Sequence, residues 1–402
     1  MQRSTRPTAH AGALFTRNYI IMVVLYLFCC LFGQSMMAAI PAMMKASGFT
    51  EFISGTVVSL FPLSSMLFRR PAGKLAAWLP PKQTLLFCFL ILVLSGIAFP
   101  NIDLLFLFYP LRIAQGISIC LIGVVLGNLV ADTIPPERFD EGMGYYSIGV
   151  PAMSFLGPAV SRILVAEIGY RLMLYILSAI TAVALPLCLL STLKNTNRTA
   201  PAPAIEASHT RLPLLERCAL PSSFMLLATV LAHSCIVSFL PLYAQQTGLP
   251  NTVPFYLAAA VGILAIRLSA TLFHIRFPER TAVPLAYAIC IVSMLLVPTF
   301  HLLPSAVLLG GLYGMAIGIL QPYYIAKALL AAPPGRRNLA TVTYYIFMDV
   351  GYASGGLLWG YVAQYLGYSS VFFVAIFVNL CGLVAWFLLS HRSLEWKKLP
   401  PC

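Results

Sequence analysis

The sequence predicts an all-α protein that crosses a membrane twelve times, on the strength of its composition, its apolar run lengths and the placement of its basic residues. Of 402 residues, 60% are hydrophobic and 9% charged, and the mean hydropathy is +0.88. Soluble domains carry about 25% charged residues, so one aqueous globule could not hide this much apolar surface. Runs of about 20 apolar residues are long enough to span the hydrocarbon layer as helices. They fall near 18–41, 52–69, 83–100, 104–131, 143–165 and 170–192, then near 223–244, 254–274, 282–300, 304–330, 339–362 and 370–390.

Basic residues test this count independently. With the N-terminus inside, Arg3, Arg6, Arg17, Arg69, Arg70, Lys74, Lys82, Arg138 and ten further residues from Lys194 to Lys397, with Lys398, fall in inside segments. Only Lys45 and Arg171 fall in outside loops. That bias obeys the positive-inside rule and puts both termini in the cytoplasm, as expected for a multi-pass protein of a bacterial inner membrane. The net charge of +13 is mostly this bias, spread over many short loops, and gives no reason to expect nucleic acid. The first apolar run is longer than a signal-peptide core and no small-residue cleavage site follows it, so it reads as an uncleaved span. Most of the ten cysteines lie inside apolar runs with no CxxC or Cys/His spacing; they read as small hydrophobes, with no metal or cofactor expected.

A polar, Pro- and Ala-rich segment, Lys194 to Pro213, separates six spans from six. The expected organisation is a six-helix bundle over 1–192, a cytoplasmic linker over 193–222 and a second bundle over 223–402. Across the linker, stretches match at an offset of about 198: "TIPPERF" at Thr133 with "AAPPGRR" at Ala331, "GYYS" at Gly144 with "TYYI" at Thr343, and "IGYRLMLYI" at Ile168 with "LGYSSVFFV" at Leu366. Pro41 corresponds in the same way to Pro241. Units of six spans repeat in parallel about an axis along the membrane normal, an arrangement that places a transport site between the halves at the midplane.

Three motifs carry a family resemblance over essentially the whole chain. "RIAQGIS" (Arg112 to Ser118) resembles the fourth-helix R-x-x-Q-G motif of the major facilitator superfamily. "RRPAGKLAAWLPPK" (Arg69 to Lys82), with Arg70 and Gly73, resembles that family's loop between helices 2 and 3, Ala77 and Trp78 standing where the family has Asp and Arg. "GVPAMSFLGPAVSR" (Gly149 to Arg162), with Gly157 and Pro158, resembles the fifth-helix motif of its antiporters. The drug/proton antiporter-like branch is the most similar. The resemblance implies two bundles rocking about a central cavity, a small-molecule substrate, proton coupling, and export as a monomer in the bilayer.

Polar groups inside the membrane must be satisfied by the protein itself. Arg112 lies deep in span 4, where a guanidinium costs at least about 2.5–3.5 kcal/mol. It is either a pin between helices through carbonyl hydrogen bonds or the holder of an anionic substrate group, and Gln115 shares its face. Its repeat partner is Gly310, so the charge belongs to one half. Asp349, aligned with Val150, is the carboxylate near the middle of a span; it reads as a proton carrier, as one member of a structural ion pair, or as a direct substrate contact. His233, in span 7, reads either as a satisfied core histidine or, since a histidine ordinarily titrates near neutrality, as the second candidate for proton handling and a substrate contact. Gln34, Asn128, Gln321 and Tyr324 lie on spans that line the cavity in this family, and each reads equally as a substrate contact or an interhelical bond. Asp132 is placed to latch to Arg70. Arg162, Arg267 and Lys327 lie near span ends and read as snorkelling structural charges.

With no Walker, HExxH or nucleophile-elbow pattern, neither ATP-driven transport nor an enzyme is expected. The excess of cationic candidates over one carboxylate favours an anionic or zwitterionic organic solute, such as a carboxylate metabolite or siderophore-like chelator, with an amphiphilic drug also fitting. Proton-coupled import is the alternative within the class. A non-transporting receptor or scaffold is the competing class; it predicts a large soluble domain, and none is visible.

Overall fold

The computed structural model describes residues 14–102, 105–191, 215–248, 252–272, 278–297 and 302–396. Thirteen α-helices are found among them: α1 Arg17–Ala46, α2 Glu51–Trp78, α3 Pro81–Ala98, α4 Leu105–Thr133, the short α5 Phe139–Tyr146, α6 Gly149–Ala182, α7 Ala184–Leu190, α8 Leu220–Thr247, α9 Val253–Leu272, α10 Glu279–Leu295, α11 Leu303–Ala331, α12 Arg337–Leu366 and α13 Tyr368–Trp396. Threonine caps start the first two, the hydroxyls of Thr16 and Thr50 accepting from the amides of Tyr19 and Ile53 at 3.3 Å.

Eight stretches among the described residues are long and apolar enough to cross a membrane on their own. One of them, Glu141–Leu190, is 50 residues long and is broken within α6 at Gly169 (φ 76°), where the chain reverses with no loop. With α9, α10 and α12 the spans number twelve, in two six-helix repeats. The face at which α1 begins is termed proximal here, and the opposite face distal.

The duplication expected from the sequence recurs in the backbone. Gly169 and Gly367, 198 residues apart, both adopt positive φ (76° and 82°) and turn one span directly into the next. A residue with a Cβ is strained at such a turn. The Pro-Pro stretches form matching 3-10 turns at Pro136–Arg138 and Pro334–Arg336. In the first, Arg138 donates to both carboxylate oxygens of Glu141 at 2.9 Å, holding that exposed carboxyl below the usual carboxylate range. The described cysteines form no disulfides.

The helices also correct the expected boundaries. α2 continues to Trp78, well past the expected end near residue 69, so Arg69 lies inside a span and not in a loop. α8 begins at Leu220, while residues 193–214 of the expected linker lie outside the described residues.

The two faces are closed to different degrees. On the distal half, every residue from Phe32 to Met44 in α1 is buried, and so is every residue from Ala232 to Ala244 in α8. These equivalent stretches run about 20 Å each and are wrapped on all sides. On the proximal half α1 buries Tyr19, Met22, Leu25, Cys29 and Cys30, a stripe at helical spacing, and leaves the residues between them partly exposed. α2 and α12 close the distal half against each other through Gly55, Gly356 and Gly360, where a Cβ on Gly55 would overlap the Gly356 carbonyl. At the rim, Lys45 Nζ lies 3.0 Å from both Glu51 Oε1 and the Tyr368 hydroxyl, and the Gln364 side chain accepts from the Phe52 amide at 3.1 Å.

Candidate functional site between the two halves

Asp349 sits in α12, in the second half, and its partner comes from the first. Arg69 of α2 donates to Asp349 Oδ2 from Nε at 3.1 Å and from Nη2 at 2.5 Å. Ser65, one turn earlier on the same face of α2, donates to the same oxygen at 3.3 Å. The pair is nearly shut off from solvent, the two side chains being 15% and 9% exposed. Arg69 lies about 14 Å along α2 from its proximal end, below the Gly55–Gly356 seam. Its guanidinium stacks over the Tyr345 ring at 5.0 Å. Arg267 of α9 comes within electrostatic reach of Tyr344 and Tyr345.

Sequence reasoning missed Arg69 as a site residue because hydropathy assigned it to a loop. A signal was present: a lone carboxylate in mid-membrane requires a partner, and the Arg69/Ser65 spacing offered one.

Arg112 is held within the first half by the carbonyl hydrogen bonds that a pin would make. It is 1% exposed, and its Nε and Nη2 donate to the carbonyls of Val57 and Val58 at 3.1 and 3.4 Å, its Nη1 to Gln115 Oε1 at 2.8 Å. Gln115 passes the network to Ser95 Oγ of α3 at 2.9 Å, and Phe61 covers the guanidinium at 5.0 Å. All of these partners lie in the first half.

His233 is fully buried at the contact between the halves. Its Nδ1 lies 3.2 Å from the Tyr313 hydroxyl, and Phe155 of α6 meets it edge-on at 5.3 Å. Its Nε2, the Tyr352 hydroxyl and Gln34 Oε1 are buried with no hydrogen-bond partner among the described residues. Buried polar atoms in native structures are met by protein, water or a ligand, so these three mark places where a water or a solute can bind.

The other expected residues scatter. Tyr324 joins Tyr287 at 2.6 Å and, through it, Thr229, inside the second half. Gln321 is buried, its carbonyl accepting from Tyr344 at 3.1 Å. Asn128, Arg70, Gly73 and Asp132 are exposed towards the proximal ends of α4 and α2. Gly157 and Pro158 are buried against α1, with Ser35 donating to the Gly157 carbonyl at 3.2 Å and Ser161 to the Ser35 carbonyl at 3.0 Å. Lys327 pairs with Glu279 at 2.7 Å, and Arg162 lines a small distal cavity with Ala42, Tyr170 and Pro241.

A buried ion pair thus joins two six-helix repeats that are sealed on one face. The family model described as Major Facilitator Superfamily matches residues 22–340. The chain belongs to the Major Facilitator Superfamily. This MFS transporter is 24% identical over 407 residues to an uncharacterized MFS-type transporter of Burkholderia pseudomallei, covering 95% of this chain and 94% of that one. It is 22% identical to the staphylopine export protein of Staphylococcus aureus over 358 residues, or 84% and 85% of the two chains. Among solved structures it resembles a mutant form of the nucleoside transporter NupG, with TM-score 0.70, 14% identity and coverage of 92% and 98%. A POT family transporter in complex with a thioalcohol-conjugated peptide gives TM-score 0.73 at 12% identity, with coverage of 94% and 96%. At those identities the structures speak for the fold alone. The chain is thus a multi-pass membrane transporter that handles small molecules, and not an enzyme.

Proposed function

We propose that this transporter exports a small charged organic solute in exchange for protons, by alternating access, with Asp349 as the proton carrier and Arg69 as its counter-ion. The observation that carries the reading is the Arg69–Asp349 pair, which ties α2 of the first half to α12 of the second. While Asp349 is ionised, charge-assisted hydrogen bonds hold the two helices together. A proton on the carboxylate removes the charge, and the link between the halves weakens. The distal seal then corresponds to one end state, and its parting to the other.

The solute class proposed is anionic or zwitterionic. The cations assigned to it are Arg69 and Arg267 in place of Arg112, which is bound to the Val57 carbonyl and Gln115, and Lys327, which is paired with Glu279. His233, Tyr352 and Gln34, with their unpaired polar atoms, are the proposed solute contacts along the path. Export is favoured by the fifth-helix motif at Gly157 and Pro158 and by the name of the staphylococcal relative. The proposed setting is a bacterial inner membrane, with the proximal face and both termini cytoplasmic, a monomer in the bilayer, and the two bundles (1–192 and 223–402) as the moving bodies about the 193–222 linker.

The test is flux in proteoliposomes under an imposed pH gradient, with wild type and Asp349→Asn compared per folded molecule. The wild type should move solute against the proton gradient, and Asp349→Asn should lose the dependence on that gradient. If the asparagine variant remains as proton-driven as the wild type, Asp349 is not the carrier.

A further inference from the structure

The placement of the central charges determines which way a proton moves with a given solute. In the structure Asp349 occupies Arg69. An anion that took Arg69 for itself would leave the buried carboxylate unpaired, and a buried unpaired carboxylate takes up a proton. Solute and proton would then bind together and travel in one direction. A cation that took Asp349 would stand in the proton's place. Solute and proton would then exclude each other, which is the thermodynamic condition for exchange, since coupling between two binding events is reciprocal.

The groups around Asp349 leave these two outcomes as the relevant ones. From α2 it meets Arg69 and Ser65. From α4, Cys120 lies within electrostatic range. On α12 itself it is flanked by Tyr345 and Tyr352, and Tyr352 in turn meets His233 of α8, ring centroids 6.4 Å apart. Arg267 of α9 lies within electrostatic range of Tyr345. A ligand at Tyr345 thus meets the Arg69 guanidinium and one exchangeable carboxylate, with the charge of Arg267, from the other half, in electrostatic range.

We propose that the exported solute is zwitterionic: a cationic nitrogen docks on Asp349 in place of the proton, while an anionic group of the same molecule is received by Arg69 and Arg267 over Tyr345. This rests on the exchange reading above. A plain anion meets the arginines but carries its proton along with it. A plain cation displaces the proton but leaves both guanidiniums without the anion.

The test uses matched sets built on alanine, phenylalanine and histidine: the free amino acid, its amide, which keeps only the cation, and its N-acetyl derivative, which keeps only the anion. Each is offered to full-length transporter in proteoliposomes under an imposed pH gradient, with internal pH followed at the same time. At least one free amino acid should exchange with protons about tenfold or more faster than both of its derivatives, since truncating one partner of a buried charge pair costs at least that much. In Arg267→Gln the advantage of the free amino acid over its amide should shrink. Equal exchange by an N-acetyl derivative overturns the proposal, as does the absence of any preference within all three sets. A free amino acid that moves in the same direction as the proton overturns the exchange reading itself, which keeps the two failures apart. Size-exclusion profiles and thermal unfolding of each variant establish that it is folded before its flux is read.

Discussion

The α2–α4 pair of the first half and the α9–α11 pair of the second occupy equivalent places and are joined by different chemistry. Gly116 and Gly314 are repeat partners, and both press on the opposing backbone so closely that a Cβ would overlap the carbonyl oxygen of Phe61 or of Ala259, themselves 198 residues apart. One turn earlier the symmetry fails. Arg112 donates to the Val57 carbonyl, whereas Gly310 packs directly on the carbonyl of Phe255, the residue equivalent to Val57. The same seam is therefore closed once by a bridging cation and once by bare backbone contact. The difference teaches that a deep charge on a one-sided repeat can be a packing device, and that its absence from the partner half is no sign of a ligand.

Substitution at the bare contact should have the largest effect. Gly314→Val forces a side chain into a backbone carbonyl that cannot step aside, and should cost more than the about 1–3 kcal/mol of ordinary overpacking. Loss of the monodisperse size-exclusion peak would report it; a normal peak with an unchanged unfolding temperature would show that the α9–α11 seam is looser than described.

The bridging cation comes next. Arg112→Met keeps most of the volume but leaves Gln115 Oε1 unpaired, an expected loss of about 1–3 kcal/mol. Adding Gln115→Met should restore much of it, because replacing a buried polar set by apolar groups of like size is often near neutral. Thermal unfolding of the single and double variants gives the coupling, and solute KM per folded molecule should stay level throughout. A raised KM with unchanged stability would place Arg112 at the solute instead.

A smaller effect is expected at the rim of the distal seal. Tyr368→Phe removes the hydroxyl shared by Lys45 and Glu51, a half-exposed contact of the kind worth about 0–1 kcal/mol. It should raise the labelling rate of a cysteine placed at Ala42 in a background lacking the native cysteines, by severalfold at most, without altering stability. An unaltered rate would confine the seal to the glycine seam.

Much of the architecture was legible in the sequence because spans, repeat offset and turn prolines are local or periodic signals. The site was less so. Arg69 was hidden by its neighbours: the motif around it is basic and glycine- and proline-bearing, so hydropathy ended the span there, while its partner lies 280 residues away. Arg112 was visible, but its direction was not. The residues at i+3 and i+4 held the answer, since Gln115 and Gly116 share its face and Gly116 can serve only a close helix contact. Had that face been oriented by its glycine, Arg112 would have pointed into the α2–α4 seam.

The reversals at Gly169 and Gly367 have a mechanical consequence. A connection of one residue has no slack, so the helices it joins are obliged to swing as a single lever. When α2 and α12 part, α13 is dragged with α12, and the two limbs of α6 travel together. Each half thereby gains a stiff outrigger on its lipid side, and a displacement of α12 is passed directly to α13.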